Sequence, residues 1–308
     1  DMWRFGNEGY DGLVNFCEEE GIRLSHGQRF RYLNGPGEAE EAAKAVAQLQ
    51  AQGFPVTLTK PPWDKADVNS VQTDGPSCLI PKEPLFARLG EPVPTIKARV
   101  QELKPHKDGV SVALTSGDVL QGQMVILGTH LSTGELIPEL NEVFISFADQ
   151  WERVTVANDS EDIPVGSVIS MNHTYEWGTK IAPKEWAIGG GRYLRHMAGI
   201  EAPTAEFDDD IAQKTTHKFT SLLGLGPYKR LVDSGRAFLG CRPCDELPVV
   251  GPMFGDGRIL LGAGYMQNGL SCGFLAGKCL AELVRHGKAD SLPRAFWPER
   301  QRSLGEQS

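Results

Sequence analysis

Along the first fifty residues the apolar positions recur at helical spacing. In GLVNFCEEEGI, Leu13, Phe16 and Cys17 share one face and the pattern stops at Gly21, which predicts a helix closed by a left-handed cap. EAEEAAKAVAQLQAQGFP predicts a second helix, acidic at its start, closed by Gly53 and barred from continuing by Pro55. Both read as surface helices beside extended segments such as RFRYL. Glu38, Glu40 and Glu41 read as a solvated, dipole-favoured helix start.

From residue 96 the period changes. IKARVQEL and VSVALTSGDVL alternate apolar and polar positions around an Asp-Gly turn at 108–109, the pattern of a β-meander. MVILGT follows as a continuous apolar run and predicts a strand buried on both faces, as in parallel sheets. The stretch 145–236 contains extended segments such as EWAIGGGRYLR. A helix then follows FDDD, with Ile211, Thr215, Phe219, Leu222 and Leu223 on one stripe. Asp208 to Asp210 read as caps and dipole partners of that helix rather than as a metal cluster.

Near the C-terminus, RILLGAGYMQNGLSCGFLAGKCLAELV reads as strand, glycine-rich turn and helix. Gly262 and Gly264 are followed by Gln267 at the sixth position, so this is not the G-x-G-x-x-G dinucleotide fingerprint, and no other copy of that fingerprint occurs in the chain. The turn delivers a helix N-terminus near Asn268 to Leu270, preceded by small residues that let a planar group approach the backbone.

The totals exclude several classes. A length of 308 residues with 40% hydrophobic and 23% charged positions suits one large globular domain or two ordinary ones. A formal charge of -9 argues against phosphate-backbone binding, so no nucleic-acid partner is expected. Residues 259–277 carry no formal charge, but their glycines, Gln267 and Asn268 make a poor lipid-facing surface, and no membrane span is expected. Six cysteines without a signal-like start fit reduced thiols in a cytoplasmic protein. Cys241 and Cys244 have C-x-x-C spacing without the second ligand pair that zinc requires, so no metal is expected.

The segment GCRPCDELPVVGPMFGDGRILLGAGYMQNGLSCGFLAGKCLAELVRHG resembles the C-terminal flavin-binding segment of the D-amino-acid oxidase, glycine oxidase and sarcosine oxidase family. The resemblance rests on Arg242-Pro243, Asp245, Pro248, Gly251, the Asp256-Gly257-Arg258 turn, Gly264, Asn268-Gly269 and the helix through Gly277 to Leu283. Upstream it is weaker, and His130 departs from the family pattern, which usually carries an aromatic there.

The resemblance implies an α/β plus α+β fold, with a Rossmann-like FAD-binding domain interleaved with an antiparallel-sheet substrate domain. Residues 1–75 and 145–236 are then the two parts of the substrate domain, 76–144 and 237–287 belong to the FAD domain, and 288–308 form a polar tail. With Asp1 as first residue, the expectation is that the G-x-G-x-x-G unit is truncated, on another chain or absent. The resemblance further implies FAD contacts at Val100, Gly128, Thr129, Gly240, Cys241, Gly264, Asn268, Gly269 and Leu270.

In the chemistry so implied, an amine or amino acid loses hydride from the carbon bearing nitrogen, and Arg242, Tyr265 and Gln267 line the substrate pocket. Arg242 suits a carboxylate, because a guanidinium offers two parallel hydrogen bonds; it could equally pair with Asp245 or Glu246. Cys241 resembles the position of covalent flavin attachment in monomeric sarcosine oxidases, and otherwise reads as a small buried hydrophobe. His130 and His173 read as structural groups. Two further functions stay open: a non-catalytic subunit of a flavoprotein complex, and an FAD dehydrogenase using an acceptor other than oxygen.

Overall fold

The computed structural model of the chain describes residues 2–60, 70–91, 93–253, 257–266 and 268–301. In chain order the elements begin with α1 (Met2–Glu19), β1 (Ser25–Tyr32), α2 (Glu38–Ala51), β2 (Val56–Thr59), β3 (Ser70–Leu79) and α3 (Lys82–Gly90). The strands β4 (Val100–His106), β5 (Gly109–Leu114), β6 (Val119–Gly122) and β7 (Val125–Leu127) follow, then α4 (Thr133–Leu136). Next come β8 (Phe144–Val156), β9 (Val168–Met171), β10 (Glu176–Ala182), β11 (Glu185–Gly190) and α5 (Asp209–Leu222). The chain closes with β12 (Tyr228–Arg230), β13 (Arg236–Pro243), β14 (Val249–Pro252), β15 (Ile259–Ala263) and α6 (Ser271–His286).

The chain divides into two compact units. The first comprises Asp1–Glu20, Ala87–Ser146 and Gly240–Ser308, the second Gly21–Phe86 and Phe147–Leu239. Helix α1, read from sequence with residues 1–75, belongs to the first unit.

The reason lies in three glycines spaced for one helix face. Gly6, Gly9 and Gly12 all lie against α6, and a Cβ on Gly9 would stand 2.2 Å from the Ser271 carbonyl oxygen. Backbones approach this closely only where no side chain intervenes. Phe5 then meets Phe296 edge to face at 5.1 Å, and Phe16 meets Phe274 at 5.7 Å.

In the first unit, β14, β15 and β7 form a small sheet, β15 running antiparallel to β14 and parallel to β7. Every residue of β15 is buried. Strands β4, β5 and β6 form the expected meander, with β4 turning into β5 through Lys107-Asp108 and Gly109 opening β5 opposite His106. Leu103 and Val110 join Leu127, Cys241, Ile259 and Leu261 in one core.

The reading of β7 as buried on both faces needs correction: Ile126 is 50% exposed. Strand alternation sends Val125 and Leu127 into the core and Ile126 to the other face.

The polar-tail reading also fails for residues 288–301. Leu292 and Phe296 are buried against α6, and Arg300 bonds Asp245 at 2.6 and 3.1 Å. Apolar residues set among polar ones anchor this stretch. Among the described residues no helix is long and apolar enough to cross a membrane.

The second unit is built on a large sheet in the order β12-β8-β11-β10-β9-β1-β3-β2, with β13 paired to β8 off this path. Along this order the pairs are antiparallel except for β1/β9, which is parallel. One face carries a core of Phe30, Ile169, Met171, Val154, Trp186 and Ile188, closed by Phe219 of α5. Asp208 caps α5 by accepting the Ile211 N–H at 3.0 Å, as expected.

At the acidic start of α2, Glu40 and Glu41 are exposed as read, but Glu38 departs from the solvated reading. Glu38 is fully buried and accepts bonds from Arg31 at 3.0 Å, Gly35 N–H at 2.9 Å and His173 N–H at 3.1 Å. One carboxylate thereby holds three chain segments, which a solvated side chain could not do.

Candidate functional site

Because β7 and β15 run parallel in register Val125↔Ile259 to Leu127↔Leu261, their carboxyl ends lie side by side. Open α/β sheets bind ligands beyond such ends. Gly128 and Thr129 continue β7, and Gly264 continues β15. Gly264 has φ +74°, and a Cβ there would stand 2.4 Å from Pro243 Cγ and 3.2 Å from Phe144. Glycine is thus required twice over: for the left-handed backbone and for the approach to the Arg242-Pro243 end of β13.

Beyond Gly264 the chain turns through Met266, also left-handed at φ +52°, and the Asn268 N–H donates to the Tyr265 carbonyl at 2.9 Å. Helical bonding begins at once: Cys272, Gly273 and Phe274 N–H donate to the carbonyls of Asn268, Gly269 and Leu270 at 3.0, 3.2 and 3.0 Å. The N-terminus of α6 therefore stands where the sequence predicts it. Among the described residues no atom beyond the adjoining positions lies within 4 Å of a Cβ built on Gly128 or Gly269, so both present open backbone to them. Gly264 thus meets the Arg242-Pro243 segment, the β7/β15 register sets Gly128 and Gly264 at the same edge of the sheet, and the Asn268–Leu270 helix start follows Gly264 by one turn.

Other sequence-predicted residues fare differently. Val100 pairs with Leu114 in the meander. Gly240 and Cys241 are buried in β13, Cys241 among Leu127, Leu140, Val249 and Leu261. Burial pushes the Cys241 thiol up to about 12. Tyr265 turns its ring into the α6 cluster, its hydroxyl beneath Gly262, where a Cβ would lie 2.6 Å away. Burial raises its pKa as well. Gln267 lies outside the described residues.

Arg242 is half-buried and bonds Glu246 through its Nη2, one of the two pairings open to it from sequence. The other, Asp245, is taken by Arg300 and by Gln301 at 3.0 Å. Burial opposes ionisation of Asp245, but the Arg300, Leu247 N–H and Gln301 bonds hold its carboxyl below the usual range.

His130 is left-handed at φ +51°, and its carbonyl accepts from Thr133 Oγ1 at 2.7 Å, while Thr129 and Thr133 hydroxyls lie 2.9 Å apart. Partial burial lowers its pKa. His173 is tied to Pro36 carbonyl oxygen at 3.3 Å, in the structural role expected of it.

Sequence reasoning missed a polar cluster in the second unit. Asp149 is buried on β8, accepts the Gln150 N–H at 2.8 Å and a bond from the Trp177 side chain, and lies within electrostatic reach of Arg192 and Arg195. Burial outweighs these contacts and raises its pKa. The one available signal was an Asp inside the otherwise strand-like run FISFADQWERVTV.

No family model matches the chain. Among curated proteins it is similar to the tRNA 5-methylaminomethyl-2-thiouridine biosynthesis bifunctional protein MnmC of Thiobacillus denitrificans, 28% identical over 148 residues. The match covers 46% of this chain and 23% of that protein, so the chain aligns with under a quarter of the curated relative.

Solved structures agree over far more of the chain. Glycine oxidase from Geobacillus kaustophilus aligns with TM-score 0.75 and 12% identity, covering 96% of this chain and 81% of that one. L-Proline dehydrogenase from P. horikoshii gives 0.78 and 14%, covering 98% and 83%. Iminodiacetate oxidase from Chelativorans gives 0.74 and 12%, covering 95% and 82%. The fold is that of these amino-acid oxidases and dehydrogenases, and the resemblance expected from sequence is borne out in fold over nearly the whole chain.

Proposed function

We propose that the protein is an FAD-dependent oxidoreductase that oxidises the carbon–nitrogen bond of an amine or amino acid to an imine. The observation that carries this reading is the meeting of two parallel strand ends, with open backbone at Gly128 and Gly269, beside a helix N-terminus, in a fold shared with amino-acid oxidases and dehydrogenases. A flat ring system fits such backbone, because no side chain keeps it away.

FAD supplies the acceptor for the hydride that leaves the substrate carbon. Gly128, Thr129, Gly264 and the Asn268–Leu270 start of α6 would hold it. The helix N-terminus offers N–H groups and a positive dipole end, which stabilise negative charge developing nearby. Arg242 would fix the substrate's carboxylate: its guanidinium has five N–H donors, and the Glu246 contact engages the Nη2 end alone. Cys241 contributes packing, because a buried thiol with a raised pKa is a poor nucleophile.

The test is anaerobic spectroscopy of the FAD-loaded protein against a panel of amines and amino acids. Loss of the visible flavin absorbance with at least one of them, with imine or its hydrolysis products in equal amount, is the expected result. Absorbance unchanged by every candidate would contradict the reading. Peroxide release on readmitting air then distinguishes an oxidase from a dehydrogenase with another acceptor.

A further inference from the structure

Beyond the carbon–nitrogen chemistry, the second unit carries an arginine whose N–H donors no described residue takes. Strand β11 ends at Gly190, and the Gly191 N–H donates to the Tyr175 carbonyl at 2.7 Å. Arg192 follows on a short turn closed by Leu194 N–H to Gly191 carbonyl and Arg195 N–H to Arg192 carbonyl, each at 2.9 Å. The loop then returns to β8 through a bridge between Ile200 and Phe147. Its position is thus fixed at both ends.

The Arg192 guanidinium carbon lies 4.7 Å from the Tyr175 ring centroid and 5.3 Å from that of Phe147. The rings attract the cation without accepting its N–H bonds in the plane of the fork. Among the described residues the guanidinium makes no hydrogen bond and no ion pair. A half-buried arginine normally spends its donors on the protein.

The surroundings are cationic on balance. Strand pairing puts Asp149 and Trp151 of β8 and Trp177 of β10 on the face opposite the Val154, Trp186 and Ile188 core. Asp149 already accepts from Gln150 and Trp177. Arg195 adds a second positive charge, bonded to Gln150 and to the Glu206 carbonyl at 3.1 Å, while its Nε is buried with no partner among the described residues. Two guanidinium groups therefore face one carboxylate.

We propose that Arg192, backed by Tyr175 and Phe147, is a recognition site for the carboxylate of a small organic anion. The planar fork takes a carboxylate with two parallel bonds, and the aromatic backing gives an apolar body somewhere to lie. This site does not depend on the redox reading, since it needs neither FAD nor Arg242.

Calorimetry of the full 308-residue protein with phenylacetate and its neutral analogue phenylacetamide tests it. The expected result is binding of phenylacetate at least about ten-fold tighter than the amide, with that preference lost in Arg192→Gln, partly kept in Arg192→Lys and unchanged in Arg285→Gln, a change at an exposed arginine in the last turn of α6. Unaltered affinity in folded Arg192→Gln, loss confined to Arg242→Gln, or no binding of phenylacetate at millimolar concentration would each overturn the proposal.

Should Arg192→Gln fail to fold, phenylglyoxal modification of the unaltered protein decides instead. Phenylacetate, and not the amide, should protect Arg192 as mapped by mass spectrometry; an equal rate with both overturns the assignment.

Discussion

Gly264 lies so close to Pro243 that a Cβ on it would stand 2.4 Å from the proline Cγ, while its φ of +74° is one that L side chains rarely adopt. This contact joins the end of β15 to the end of β13. Gly264→Ala meets both a backbone and a packing penalty, for an expected loss of about 2–4 kcal/mol in urea unfolding. Gly269→Ala, facing open space, should stay within about 1 kcal/mol of the original. Equal effects at the two positions would show that the turn is looser than described.

The α1/α6 contact predicts opposite signs for two similar changes. In an exposed helix, glycine to alanine gains about 0.5–1 kcal/mol. Gly12→Ala should gain that amount, because its Cβ meets only the Phe274 ring at 3.4 Å. Gly9→Ala should lose about 1–3 kcal/mol, because its Cβ would strike the Ser271 backbone. Urea midpoints of the two variants give the signs directly.

Much of this was legible in the sequence where a pattern is local. The apolar run of β15, the glycine turn and the start of α6 follow from spacing alone, as do the meander and the capping of α5 by Asp208. What escaped depends on contacts between distant segments. The Gly6, Gly9, Gly12 stripe is visible, but its partner helix is not. Glu38 looks solvated until Arg31 and the 173 loop close over it. Arg192 and Asp149 become neighbours only once strand pairing sets which face each side chain takes.

Cysteine reactivity follows from burial. With its thiol pushed up to about 12, Cys241 holds roughly one thiolate in ten thousand at pH 8. Iodoacetamide on the native protein should label the exposed Cys244 and leave Cys241 untouched until denaturant is added. FAD should likewise come away on acid denaturation. Flavin mass on a peptide containing Cys241 would contradict this.

Replacing Arg242 by lysine keeps the charge but loses the two-pronged contact. For carboxylate-bearing substrates kcat/KM should fall by about ten- to a hundred-fold, since hydrogen bonds to charged partners contribute about 1.5–3 kcal/mol. Amines without a carboxylate should change much less. Equal losses for both classes, with FAD released, would make Arg242 a structural residue.

The central claim, that the ends of β7 and β15 and the start of α6 cradle FAD, is tested most directly by amide hydrogen exchange with and without FAD. The chain contains no G-x-G-x-x-G turn for the pyrophosphate, so binding by these 308 residues is expected to be weak and the cofactor is supplied at millimolar concentration. The account predicts slowed exchange at 128–130 and 268–272, with little change in the β9–β10 hairpin. Protection confined to other segments, or none at all, would contradict it.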